Sequence, residues 1–103
     1  MEMLVFLTIA PVGRGESLSE DVAAVLDLID RSGLPYKTGP MGTTIEGEWD
    51  AVLALVKRCH FLMRERSGRV STCIKIDDRV GRSGELERKP AALEARLGRR
   101  LER

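Results

Sequence analysis

The stretch Met41-Gly42-Thr43-Thr44-Ile45-Glu46-Gly47-Glu48-Trp49-Asp50 places two hydroxyls, three carboxylates and an indole within ten residues. Carboxylates accept hydrogen bonds and hydroxyls both donate and accept, so such a set suits polar recognition of a small molecule. Glu46 carries the most weight, because an acid at a strand end just before a helix is placed for binding rather than packing. The competing reading, a plain surface carboxylate at a helix entry, is equally consistent with the sequence.

Strand alternation enlarges the set. If Val5, Leu7, Ile9 and Ile45 face the helices, then Thr8, Thr44, Glu46, Ser71, Cys73, Lys75 and Asp77 share the opposite, open sheet face. A partner burying that face would desolvate these groups, which would then need each other, water or a ligand. Lys75 and Asp77 read at least as well as an exposed edge or an intersubunit salt bridge, and Asp77-Asp78-Arg79 as a turn with a local ion pair.

Other candidates are weaker. His60 has no Cys, His or carboxylate at metal-ligand spacing, so no metal is expected. Ser17 and Ser19 lack a nucleophile elbow and a paired base, and helix capping explains them. The loop Pro11-Val12-Gly13-Arg14-Gly15 could hold an anion before a helix, but a simple connection is the better reading. Trp49 either caps the core, the favoured reading, or lines a cleft beside Glu46.

Composition narrows the class. The 103 residues suffice for one domain with a single layered core, and the scarcity of aromatics leaves that core aliphatic. Such a core gains from oligomerisation. Seventeen basic against sixteen acidic residues give a formal charge of +1, so no long-range field attracts nucleic acid. Cys59 and Cys73 show no paired spacing, which with the acidic N-terminus and the absence of an apolar span indicates a reduced, cytoplasmic, non-membrane protein.

The elements follow from periodicity. Residues 3–10 form a continuous apolar run, expected as a strand buried on both faces. Ser17-Leu18-Ser19-Glu20 reads as a capping box before a helix carrying Val22, Val25, Leu26 and Ile29 inward, and Gly33 stops it. Residues 36–38 and 43–46 flank the turn Gly39-Pro40-Met41-Gly42 as a hairpin. A second helix buries Val52, Leu55, Val56, Cys59, Leu62 and Met63. Residues 69–78 alternate as a fourth strand. Pro90 is expected to open a short third helix with Leu93, Leu97 and Leu101 on one stripe.

This order predicts an α+β fold: a ferredoxin-like βαββαβ unit with a four-stranded antiparallel sheet, two helices on one face and a short C-terminal helix. Residues 1–82 form the ferredoxin-like ligand-binding domain and residues 83–103 its helical extension. Nothing within the domain is expected to cover the open face, so a second subunit should. The RNA-binding version of the fold needs open-face aromatics, and only Phe6 qualifies.

Pro11-Val12-Gly13, Gly33-Leu34, the block Met41 to Asp50, Arg69-Val70-Ser71-Thr72 and Ile74-Lys75-Ile76-Asp77-Asp78-Arg79 together resemble the thiamine-binding protein family of small cytoplasmic proteins. The resemblance runs from about Val5 to Leu97. It implies a ferredoxin-like fold, dimers joined sheet to sheet and often paired into tetramers, and non-catalytic binding of thiamine or its hydroxymethylpyrimidine moiety. An aminopyrimidine could hydrogen-bond Glu46, with Thr44, Thr38 and Ser71 as orienting hydroxyls, and a cationic thiazolium would favour Asp77 or Glu46. Ala10 stands where a small polar residue is expected. The expected binding set is thus Glu46, Thr44, Thr8, Thr38, Ser71, Lys75 and Asp77, with no catalytic residue and no cofactor beyond the ligand. A regulatory or structural oligomeric module without a metabolite is the alternative.

Overall fold

A computed structural model describes residues 2–13 and 18–103. Four strands and three helices follow in the order β1 (Met3–Pro11), α1 (Ser19–Arg31), β2 (Tyr36–Gly39), β3 (Gly42–Gly47), α2 (Trp49–Arg66), β4 (Val70–Asp77) and α3 (Glu85–Leu97). The sheet is antiparallel in the order β2-β3-β1-β4. This is the expected ferredoxin-like α+β architecture, followed by the helical tail. Ser17, proposed as a cap, and Arg14 and Gly15 of the loop considered for an anion lie outside the described residues.

Register fixes the faces. Val5 pairs with Ile45 and Ile76, and Leu7 with Thr43 and Ile74, so these side chains all point toward α1 and α2. Val5 and Ile45 are fully buried there against Val25, Ile29, Val52, Leu55, Cys59 and Met63. Because side chains alternate, the intervening Leu4, Phe6, Thr8, Thr44, Glu46, Ser71, Cys73, Lys75 and Asp77 fall on the other face. The first strand is not buried on both sides: Phe6 is 37% exposed.

Gly47 makes the turn from β3 into α2 possible. A Cβ there would come within 2.8 Å of Val52 Cγ2, so α2 packs close only because the side chain is missing. Glu48 then begins the helix from an extended conformation, and Asp50 lies in its first turn, where the helix dipole favours an acid.

Three expectations change. The open face does have a cover within the chain, since α3 folds back over β3 and β1. Pro90 lies inside α3, which begins five residues earlier at Glu85. The start is fixed by Gly84, whose φ of +73° turns the chain into the helix. The helix ends at Leu97, with Gly98 left-handed at its C-terminus, so Leu101 falls beyond it. Leu93 and Leu97 are more than half exposed, and the radius of gyration is 15.0 Å against about 13 Å for a compact chain of this length. The distal half of α3 therefore projects from the domain.

Trp49 is 56% exposed and does not cap the core. On α1 the position expected for Val22 goes partly to Asp21, which is 1% exposed and accepts a hydrogen bond from Arg66 Nε at 2.8 Å. This contact ties α1 to the end of α2. A carboxylate at such depth needs a cationic partner, and a sequence pattern that counts only apolar residues cannot find it.

Candidate functional site

A cavity of about 230 Å³ opens between α1, the end of β1 and the β2–β3 hairpin. Leu7, Ile9, Val22, Val25, Leu26 and Ile29 form its apolar walls, and Thr38 and Thr43 bring hydroxyl-bearing side chains to it, while Thr8 borders it from β1 with its side chain on the open face. Val22 is 38% exposed because it faces this space instead of the core. No ionisable side chain is among the described lining residues, so the surroundings disfavour a ligand group that must stay charged.

The hairpin positions the polar part. β2 pairs with β3 through Thr38 opposite Thr43 and Gly39 opposite Gly42, leaving Pro40 and Met41 as the turn. Opposed residues share a face, and the two threonine hydroxyls are 2.9 Å apart. Thr43 is 5% exposed while Thr38 is on the surface, so the hydrogen bond satisfies the buried hydroxyl from the rim. Gly42, next to Thr43 and so facing the open side, lets the hairpin lie close against β1: a Cβ there would come within 2.5 Å of Phe6 Cζ and 2.9 Å of Leu7 O.

The expected site residues divide between the two sides of the sheet. Thr38 lines the cavity on the helix side, and Thr8 borders it from β1 although its side chain belongs to the open face. Glu46, Thr44, Ser71, Lys75 and Asp77 stand on the opposite face, away from it. Thr43, Val22 and Leu26 were not singled out. Counting back from a two-residue turn would have paired Thr38 with Thr43, whereas the walls depend on how α1 packs.

Glu46 is 5% exposed and lies under the N-terminus of α3, where Leu86 N donates to its Oε2 at 3.4 Å. The helix dipole and its free N–H groups favour an acid at this point. Two ion pairs flank this contact. Lys37 Nζ lies 2.7 Å from Glu87 Oε1, and Lys89 bonds Asp77. These partners hold the carboxyls of Glu87 and Asp77 below their ordinary values. Arg103 also bonds both Glu87 and Glu94, so the chain end braces α3. Ser71, Cys73 and Lys75, beyond α3's cover, are exposed. The turn after β4 does not close on a local pair, because Asp77 reaches across to α3.

Among the described residues no group of three or more His, Cys, Asp or Glu side chains could hold a metal ion. His60 Nδ1 instead lies 2.7 Å from Thr72 Oγ1, linking α2 to β4. Cys59 is buried, which pushes its thiol up to about 11, and Cys73 is exposed. No helix is long and apolar enough to cross a membrane among the described residues.

The fold and sequence match those of other proteins along nearly the whole chain. A UPF0045 protein of Mycobacterium bovis is 38% identical over 98 residues, covering 94% of this chain and 96% of its own. The crystal structure of a hypothetical protein from Methanocaldococcus jannaschii superposes with a TM-score of 0.83 at 30% identity, covering 89% of this chain and 95% of the other. A Thermotoga maritima structure, provisionally named a thiamine biosynthesis/salvage protein, has the same fold, with a TM-score of 0.81 at 24% identity over 90% of this chain and 99% of its own. The family model described as "Thiamine-binding protein" matches residues 5–94, and the chain belongs to that family.

Proposed function

We propose that this protein binds thiamine or a thiamine-related pyrimidine without catalysing a reaction, with the pyrimidine ring seated in the cavity between α1 and the hairpin. The observation that carries the reading is the cavity itself, apolar on its walls and edged by the Thr38–Thr43 hydroxyl pair. Membership of the thiamine-binding family supports the choice of ligand.

Size and charge agree with this. A cavity of about 150 Å³ holds benzene, so about 230 Å³ has room for one ring with small substituents and too little for a larger cofactor. The pyrimidine is neutral and suits walls without ionisable groups, whereas a thiazolium cation keeps its hydration better at the mouth, outside the apolar walls. Thr38 and Thr43 supply the few polar groups that orient a ring bearing nitrogens and an exocyclic amine. No nucleophile or general base stands among the described lining residues, which favours binding over turnover.

A Val22→Phe substitution tests the location, because the larger side chain fills the cavity from a position already exposed. Calorimetry with hydroxymethylpyrimidine should show saturable binding to the native chain and at least a tenfold loss in the variant. Equal affinity in both would place the ligand elsewhere.

The second reading, an oligomeric regulatory or structural module, rests on the open face. Phe6 on the open face is 37% exposed, and Leu93 and Leu97 on α3 are more than half exposed. In that reading self-association covers this face, and the protein's mass in solution changes on truncation of α3.

A further inference from the structure

A second cavity, of about 100 Å³, lies near the start of β1, whereas the first lies toward that strand's end. Its described lining is entirely ionisable: Glu2, Asp77, Arg79, Arg82, Glu85 and Lys89. The turn after β4 builds it. Arg82 N donates to Arg79 O at 3.1 Å, and Glu2 N donates to Ser83 Oγ at 3.4 Å, so the turn is held against the residue that precedes β1. α3 then completes the cavity with Glu85 and Lys89.

Four of the six charges are matched within the chain. Lys89 bonds Asp77, and Arg82 Nη1 lies 3.5 Å from Glu85 Oε1. Glu2 and Arg79 form no ion pair among the described residues, which leaves one acid and one base beside the same small space. Glu85 adds a second sign of an incomplete site. The residue is 9% exposed and its Oε1 accepts no hydrogen bond, although the guanidinium groups of Arg82 and Arg88 stand 3.5 and 3.7 Å away. A buried carboxylate oxygen without a donor is costly. The soft terminal torsion of a glutamate lets that oxygen turn toward a donor in the cavity.

We infer that this cavity binds a small amino acid, with the ammonium group between Glu85 and Glu2 and the carboxylate at Arg79. Three acids and three bases line the space. A lone anion such as phosphate would meet the acids and a lone cation the bases, whereas a zwitterion offers each sign its opposite. Size agrees as well. A cavity of about 150 Å³ holds benzene, so about 100 Å³ takes an amino-acid backbone with a small side chain and excludes an aromatic ring. The contributing residues come from the end of β4, the turn after it, α3 and the segment before β1, so a bound amino acid would clamp α3 to the sheet. The site is separate from the pyrimidine cavity and does not depend on that ligand.

Titration of the full, isotope-labelled chain with L-alanine, followed by amide chemical shifts, reads both affinity and place. Saturable shifts at Glu2 and across residues 77–89 are the expected result, with amide exchange in α3 slowed at saturation. Ethylamine and propionate each carry one half of the recognition and should bind at least tenfold more weakly. Arg79 is exposed, so Arg79→Gln should keep the fold and cut the affinity for L-alanine at least tenfold, as should Glu85→Gln. The absence of saturable shifts with L-alanine would overturn the proposal, as would saturable shifts confined to other parts of the chain. So would propionate or inorganic phosphate binding as tightly as L-alanine, which would mark a plain anion site, or an unchanged affinity in the folded Arg79→Gln variant.

Discussion

The hydroxyl oxygens of Thr38 and Thr43 lie 2.9 Å apart across one rung of the β2–β3 ladder, one at the surface and one buried at the cavity edge. Their inequality predicts an asymmetric response. Thr38→Val leaves the buried Thr43 hydroxyl without its partner and should cost about 1–3 kcal/mol. Thr43→Val leaves an exposed hydroxyl that water satisfies and should cost less. The double variant should recover part of the Thr38→Val loss, as denaturant unfolding of all four proteins would measure.

The Asp21–Arg66 pair makes a second stability prediction. Arg66→Ala removes a guanidinium that donates to a carboxylate 1% exposed, and because that guanidinium is itself partly exposed the cost should be about 1–3 kcal/mol. Replacement of exposed Arg31, whose pair with Asp27 spans one turn of α1, should cost well under 1 kcal/mol. Thermal melts of the two variants under identical conditions compare them.

Much of this was legible in the residues, and the limits have physical causes. The strand and helix order follows from the apolar periods, and Val5 and Ile45 fall in the core where alternation puts them, as Val52 does where the helical period puts it. Glu46 was correctly placed on the open face, but its cover was not foreseen, because Gly81 and Gly84 redirect the chain so that α3 returns over the sheet. Periodicity describes one element at a time. The Thr38–Thr43 pairing could have been counted back from the two-residue turn, whereas the buried Asp21 and the walls of the cavity depend on how elements meet and leave no local signature.

The attachment of α3 should weaken in acid. Asp77 and Glu87 have carboxyls held below their ordinary values of 3.8 and 4.5 by Lys89 and by Lys37 and Arg103. A depressed folded value contributes stability above the unfolded one, lost as pH falls through the folded one. The contribution is therefore present at neutral pH and disappears below about pH 4. Amide exchange in α3 should accelerate there before exchange in β1, and added salt at pH 7 should produce a milder form of the same change.

Thiol chemistry separates the two cysteines. With its thiol pushed up to about 11 by burial, Cys59 carries almost no thiolate at pH 8, while Cys73 is exposed. Ellman's reagent on native protein should report one fast thiol per chain and release the second only with denaturant. Fast reaction of both would show that the α2 face of the core opens readily.

The most direct test of the binding account is calorimetric titration of the native chain with hydroxymethylpyrimidine and with thiamine, in parallel with the Val22→Phe variant. Saturable binding of both ligands to the native chain, sharply weakened in the variant whose cavity is filled, is the predicted result. A folded native protein that gives no binding heat with either ligand, and no ligand-induced rise in melting temperature, would contradict it.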